Sequence, residues 1–293
     1  MTKEILLINL YCTVCRHYRN TLAAQAQRFS NNFLPKFTDE ECITVYLFGI
    51  QEGKFDVKAI HAFIKAYWHN WFPALPAYQN LNRRINLLAS AFQTLGGLLL
   101  SDEVIDESIL SHLSHLLDSM PIIVAGAKRS GSARAAKGLC QKGYCASKGM
   151  YYYGAKLHLL GQKQYGALPK TRMVLVTSAS ENDITVAKEW LEDIANMDIF
   201  ADKAYADATW SERLRERNVR LFTPVKLKKG QMFLDSADSY FSQAVSRARQ
   251  AIESFFNWIQ QKTQIQFASK VRSENGLIAF IFARLASLAF FYS

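Results

Sequence analysis

The sequence predicts an α/β fold, a mixed sheet covered by helices on both faces and preceded by an all-helical segment. Three observations predict it. Up to about Leu117 apolar residues recur at three-to-four spacing. Short runs that alternate or are rich in β-branched residues follow. After the third of these, helical and strand patterns alternate, and two long helical patterns close the chain.

In order, the helical segments are expected near 3–29, 39–51, 56–70, 77–95 and 102–117, broken at "NNFLPKF", "QEGKFD" and "FPALP" by Pro, Gly and Asn. Thr38 stands as an N-cap with Glu41 three positions later, the spacing of a capping box. A first strand is expected in "LLDSMPIIV". The Gly- and Lys-rich stretch 126–149 carries little periodicity and no expected strand. "YYYGAKLHLLG" (151–161) and "RMVLVTSAS" (172–180) are the next two strands. Asp183 is a helix start before "ITVAKEWLEDIAN". "MDIFAD" is a fourth strand, "YADATWSERLRERN" a helix and "VRLFTPV" a fifth strand, with the closing helices from about Asp238. The expected division is a helical domain over 1–115 and a sheet domain over 116–293.

The chain has 293 residues, 49% hydrophobic and 20% charged, enough to bury a substantial core, so disorder is not its class. Its net charge of +10 favours polyanionic partners. The distribution is sharper than the sum. From Ser119 to Ser180 there is no Asp or Glu, while Lys128, Arg129, Arg134, Lys137, Lys142, Lys148, Lys156, Lys163, Lys170 and Arg172 all fall inside. Five unevenly spaced cysteines in a chain without a secretory leader argue against a disulfide framework and for a reducing cytosol. "CTVCRH" (12–17) has no second Cys or His pair at zinc-site spacing. Arg284 interrupts the apolar C-terminal run "GLIAFIFARLASLAFFYS", so a buried terminal helix is expected there rather than a membrane span.

In α/β sheets reactive groups tend to stand where strands end. Asp118 is expected to open the first strand and Asp202, in "FADKAY", to close the fourth. If those strands are neighbours, the two carboxylates meet. Close carboxylates repel unless cations neutralise them. Hard divalent ions such as Mg²⁺ take oxygen ligands, and a pair of them about 3.5–4 Å apart supports phosphodiester chemistry. The third acid is Glu253, on a helix whose apolar row Val245, Ala248, Ile252, Phe255 and Ile259 can pack on the sheet. Arg249 and Asn257, four residues to either side, share its face. Taken singly, each acid has an ordinary reading: Asp118 as a cap, Asp202 in an ion pair with Lys203, Glu253 as an i,i+4 partner of Arg249.

"DSMPI" (118–122), "GYCASKGMYYYGAKLHLL" (143–160), "ADKAY" (201–205), Arg249 with Glu253 four residues on, and "RSENGLIAFIFARLASL" (272–288) together resemble the DDE transposases of bacterial insertion sequences, over roughly 118–290. The N-terminal helical part is similar to that of compact members without a large insertion. The resemblance implies an RNase H-like catalytic domain with Asp118, Asp202 and Glu253 as the metal-binding triad. It further implies two Mg²⁺ ions, Mn²⁺ being able to substitute. The implied activity is metal-dependent cleavage at element ends followed by strand transfer into target DNA. The partners are double-stranded DNA, both element ends and target, and a second copy of the chain in a homodimer on paired ends, with no membrane. The implied location is the bacterial cytoplasm, at the nucleoid.

The family's Tyr three residues before the Arg is Ser246 here, and its Lys seven after the Glu is Gln260, with Lys262 two residues later. On this reading Arg249 and Asn257 position DNA, Lys262 touches phosphate, and Lys203 balances local charge or touches phosphate. The basic limb of Lys128, Arg129, Arg134, Lys137, Lys142, Lys148 and Lys156 grips the backbone. Tyr151, Tyr152 and Tyr153 are either base-stacking groups or sheet packing. In the helical domain, expected to recognise element ends, Arg83 and Arg84 suit a helix entering a groove or a solvated helix face. His112 and His115 are read as helix-surface residues. A nuclease that cleaves without joining, and a non-catalytic DNA-binding relative, share these motifs.

Overall fold

The computed structural model describes residues 2–26, 35–101, 113–227 and 230–291. The chain forms two compact units. One comprises Met1–Asp102, Ser132–Leu139 and Ile259–Ser293, the other Glu103–Gly131 and Cys140–Trp258. Both are discontinuous in sequence, where the expectation was one cut between 115 and 116.

The first unit is helical: α1 (Lys3–His17), α2 (Asp39–Gln51), α3 (Val57–Tyr67), α4 (Tyr78–Leu87), α5 (Ala89–Ser101) and, near the C-terminus, the helix Glu274–Ser287. The capping box that begins α2 is complete. Thr38 Oγ1 accepts the Glu41 amide at 3.2 Å, and the Glu41 carboxylate accepts the Thr38 amide at 2.6 Å. Every residue from Cys42 to Ile50 is buried, as is Ala279 through Ser287, so these two helices bury all their faces and form the centre of this unit. The helix expected over 77–95 is two helices meeting at Leu88.

The apolar C-terminal run is therefore core, and no helix among the described residues is long and apolar enough to cross a membrane. Its Arg284 is fully buried, and burial lowers its pKa. The guanidinium donates to the carbonyls of Thr263, Phe280 and Phe55 and to the Tyr46 hydroxyl, and lies 3.4 Å from the centre of the Phe280 ring. All five cysteines are free.

Among its described residues the second unit holds six strands: β1 (Leu113–Ala125), β2 (Gln141–Cys145), β3 (Met150–Gln162), β4 (Lys170–Ser178), β5 (Met197–Ala201) and β6 (Val219–Phe222). Its helices are α6 (Asp183–Trp190), α7 (Ala208–Glu216) and α8 (Ser236–Thr263), the last belonging to this unit as far as Trp258. The C-terminal helix Glu274–Ser287 is α9. β3 pairs antiparallel with β1 on one side, and on the other with β2 along 150–154 and then β4 along 155–162. β5 adds parallel to β1, and β6 parallel to β5, with α6 leading from β4 into β5 and α7 from β5 into β6. This is the mixed, helix-flanked sheet that the sequence predicts, after an all-helical N-terminal region.

One core lies between the sheet and α6 and α7, where Leu117, Leu160, Ile199 and Ala201 meet Leu191, Trp210 and Leu214. The apolar row expected on the Glu253 helix is buried throughout, at Val245, Ala248, Ile252, Phe255 and Ile259.

Two strand expectations are corrected. β1 begins at Leu113, not at Asp118, so the helix expected over 102–117 gives way to strand at 113; residues 102–112 lie outside the described residues. Between β3 and β5, β1 is buried on both faces near Leu116 and Leu117, and its apolar run there shows no two-residue alternation. β2 was not expected: its buried positions are Gly143 and Cys145, which carry little hydrophobic signal.

Candidate active site

The β1–β5 pairing ends at Leu117 opposite Ala201. Asp118 and Asp202 are the next residue on each strand, so they stand side by side where the parallel pairing stops. β1 itself runs on to Ala125, paired on the β3 side alone, and Asp118 lies mid-strand opposite Leu159. The expectation that acids gather where strands end thus holds for the pairing, though not for β1 as a strand. Pro121, which has no amide hydrogen to give a ladder, falls in the length of β1 beyond its β5 partner.

Each aspartate is pinned by the backbone after it. Asp118 Oδ1 accepts the Ser119 amide at 2.8 Å, and Asp202 Oδ1 accepts the Lys203 amide at 2.7 Å as the cap of the 3₁₀ turn Lys203–Tyr205. Glu253 projects from α8, one turn beyond Arg249. The apolar row beside them is sunk, so the Arg249 side chain is only 10% exposed while the Glu253 side chain is 57% exposed.

Arg249 ties the three acids together. Its Nη2 lies 3.0 Å from Asp118 Oδ2, its Nη1 3.5 Å from Asp202 Oδ1, and its Nη2 3.9 Å from Glu253 Oε1. Its Nε is buried and has no hydrogen-bond partner among the described residues. The three acids assigned from sequence are therefore brought to one place, around one guanidinium.

Burial pushes the Asp118 carboxyl up to about 6, against the pull of Arg249 and the Ser119 amide and with a push from the Asp202 charge. Tyr205 lies close by. Its hydroxyl is buried, and desolvation, with the charges of Asp183 and Asp118, raises its pKa well above the usual phenol value. Sequence reasoning passed over Tyr205; its signal was its place in "ADKAY", three residues after Asp202.

The donor set suits a hard divalent cation, being three carboxylates that one cation already reaches, two of them oriented by backbone amides. Yet among the described residues no three His, Cys, Asp or Glu side chains stand grouped as metal ligands. The cation that the three acids reach is the Arg249 guanidinium, at 3.0, 3.5 and 3.9 Å.

Other residues singled out from sequence sit as follows. Asn257 is exposed on α8, and Lys203 is exposed beside Asp202. A groove at Asp202 is walled by Lys203, Lys226, Leu227, Met232 and Phe233. Lys262, in the helical unit, lies over the Phe291 ring at 5.5 Å. Ser246 Oγ bonds the Ser242 carbonyl, and Gln260 Oε1 accepts the Gln266 amide, so both fill local roles. Lys128, Arg129, Lys142 and Lys148 are exposed in the sheet unit, Arg134 and Lys137 in the helical one. Lys156 is committed to Asp183 at 2.9 Å and the Glu181 carbonyl at 2.7 Å.

Of the tyrosine run, Tyr152 and Tyr153 are buried. Tyr151 is exposed against its cross-strand partner Tyr144, ring centres 5.0 Å apart, with Lys142 Nζ 4.7 Å from its ring centre. Arg83 is exposed. Arg84 is held by the Asp39 carboxylate and the Ala26 carbonyl, so it is a structural group of the helical unit rather than half of a free basic pair. His115 is a buried strand residue, not a helix-surface one. Its Nδ1 is 2.9 Å from the Leu113 carbonyl, and burial lowers its pKa. His112 lies outside the described residues.

Residues 111–274, more than half of the chain, match the family described as Transposase DDE domain. No curated protein and no solved structure matches the chain.

Proposed function

The chain belongs to the DDE transposase family, and we propose on that premise that it cleaves DNA at the ends of a bacterial insertion sequence and joins the freed 3′-hydroxyl to target DNA. The observation that carries this reading is the convergence of Asp118, Asp202 and Glu253 on one cation at the end of the β1–β5 pairing.

Asp118, Asp202 and Glu253 would hold two Mg²⁺ ions, or Mn²⁺ in their place, which supply activation of the attacking oxygen and stabilisation of the leaving oxygen. The remaining work falls to side chains of this chain. The Ser119 and Lys203 amides fix the rotamers of the two aspartates, which serves catalysis because a ligand that need not be reordered loses nothing on binding. Arg249 and the exposed Asn257, on the Glu253 face of α8, position the scissile strand. Lys203 and Lys226, beside the groove at Asp202, neutralise its phosphates. Lys128, Arg129, Arg134, Lys137, Lys142 and Lys148 grip the backbone without reading sequence, while Lys156 is engaged within the fold. Exposed Arg83 remains the basic group of α4 for a contact to the element end. The protein acts as a homodimer on paired ends, in the cytoplasm where the DNA lies.

The test uses labelled duplexes carrying the element ends, with Mg²⁺ or Mn²⁺ and a target plasmid. Wild type is expected to nick the ends and join them to the plasmid. Asp202→Ala is expected to lose both activities by at least about 10³-fold while retarding the duplex in a gel as wild type does. Cleavage that survives in Asp202→Ala would falsify the assignment. Cleavage without joining in wild type would replace it with a plain nuclease.

A further inference from the structure

We propose that Arg249 is an internal counter-cation that excludes metal from the acidic site until it swings out, and that once released it serves as a phosphate ligand. Metal binding and DNA binding are then coupled through one side chain. The inference rests on the reading of Asp118, Asp202 and Glu253 as metal ligands, and goes beyond it by making Arg249 and metal alternative occupants of one space.

Three observations support it. The guanidinium touches all three acids, at 3.0, 3.5 and 3.9 Å, so it neutralises the same charges that an ion would. Its two terminal nitrogens divide the three acids between them, and with it there the acids are not grouped as ligands. It is also buried while incompletely hydrogen-bonded, for Nε has no partner among the described residues while Nη2 serves two carboxylates. A cation held by three acids but incompletely hydrogen-bonded is poised for exchange. With the acids engaged by a metal ion, the guanidinium would lose its partners and be driven outward by like charge.

Arg249 stands midway along α8, one turn from Glu253, with Asn257 one turn beyond on the same face. Leaving the acids, a guanidinium on this face meets the strand held there, and its planar fork suits a phosphate. Linkage makes the effect reciprocal: if metal frees Arg249 for DNA, DNA that captures Arg249 tightens metal.

The experiment measures Mn²⁺ binding by calorimetry and by loss of free Mn²⁺ signal in electron paramagnetic resonance, without DNA, for wild type, Arg249→Gln, Arg249→Lys and Asp202→Asn. Arg249→Gln is expected to bind Mn²⁺ about tenfold tighter than wild type, because the competing cation is gone. Arg249→Lys should lie between, and Asp202→Asn should bind at least about tenfold more weakly. A phosphodiester duplex should raise wild-type Mn²⁺ affinity severalfold and leave that of Arg249→Gln unchanged.

In wild type alone, phenylglyoxal labelling of Arg249, read by mass spectrometry, should accelerate when Mn²⁺ saturates; this readout needs no variant to fold. Equal or weaker Mn²⁺ binding by Arg249→Gln, or labelling that Mn²⁺ does not change, overturns the inference. If Asp202→Asn still loses Mn²⁺ in that case, the metal reading stands without it. If wild type and Asp202→Asn bind Mn²⁺ alike, both fall together.

Discussion

The charge of Asp118 costs stability in the chain alone, because burial holds its carboxyl at about 6 while the unfolded chain releases the same proton near 3.8. A carboxyl raised in the folded state binds its proton more tightly there. Between about pH 4 and 6 the folded chain therefore takes up more protons than the unfolded one, and this group's contribution to stability falls as pH rises through that window and stays low above it. Asn, which resembles the protonated acid, escapes the effect. Asp118→Asn is expected to stabilise the metal-free protein by on the order of 2 kcal/mol at pH 7.5, with the gain fading towards pH 4. Urea melts at both pH values check it; a gain that does not depend on pH would contradict the burial of this charge. Asp118, Asp202 and Glu253 were all legible as single residues, since acids at strand ends and on an amphipathic helix leave a pattern. What joins them was not, because Arg249 reads equally as an i,i+4 helix partner of Glu253. Only the fold shows that it also reaches two acids more than 40 residues away in sequence.

At the scale of elements, β3 is the strand on which the sheet depends, since β1 pairs with one edge while β2 and β4 share the other. Gly154 lies at the junction of β2 and β4 and is packed so closely that an added Cβ would overlap the Ile122 carbonyl oxygen of β1. That atom is backbone and cannot rotate away. Gly154→Ala should therefore cost about 2–4 kcal/mol, through forced separation of β1 and β3, and the denaturant midpoint will report it; an unchanged midpoint would mean that the strands part freely there.

The same sheet explains which elements could be read in advance. β3 and β4 carry long apolar runs, α2 has its capping box, and α8 has its apolar row, and each of these appears where the pattern puts it. β2 hides in a Gly- and Lys-rich stretch because an edge strand needs only an inner face, here Gly143 and Cys145. The first residues of β1 hide because leucines three and four apart satisfy a helix as readily as a strand buried on both faces.

At the scale of the whole molecule, the charge asymmetry is the property most directly testable. Replacing Lys128, Lys142 and Lys148, all exposed in the sheet unit, with Ala is expected to weaken binding to any duplex equally. The slope of log affinity against log salt should fall by roughly 0.9 for each phosphate that is no longer neutralised. Fluorescence anisotropy on two unrelated duplexes measures both, and a weakening confined to one duplex would show that these lysines read sequence. The assortment of the chain into two units was less legible. Residues 132–139 and 259–293 join the N-terminal helices because α9, apolar on every side, needs a covering of apolar helices, and the long basic stretch gives no hydrophobic signal of where it changes units.

The Arg249 cluster has a consequence for descent. Of the three acids around Arg249, Asp118 is buried as a charge, so the chain folds in spite of that cost. Removing the buried charge, as in Asp118→Asn, moves towards a sturdier protein, and the requirement of folding does not hold the aspartate in place. Under the proposed function, selection for the chemistry is what would keep it. Inactive descendants of this chain should accordingly lose the acids before they lose the sheet.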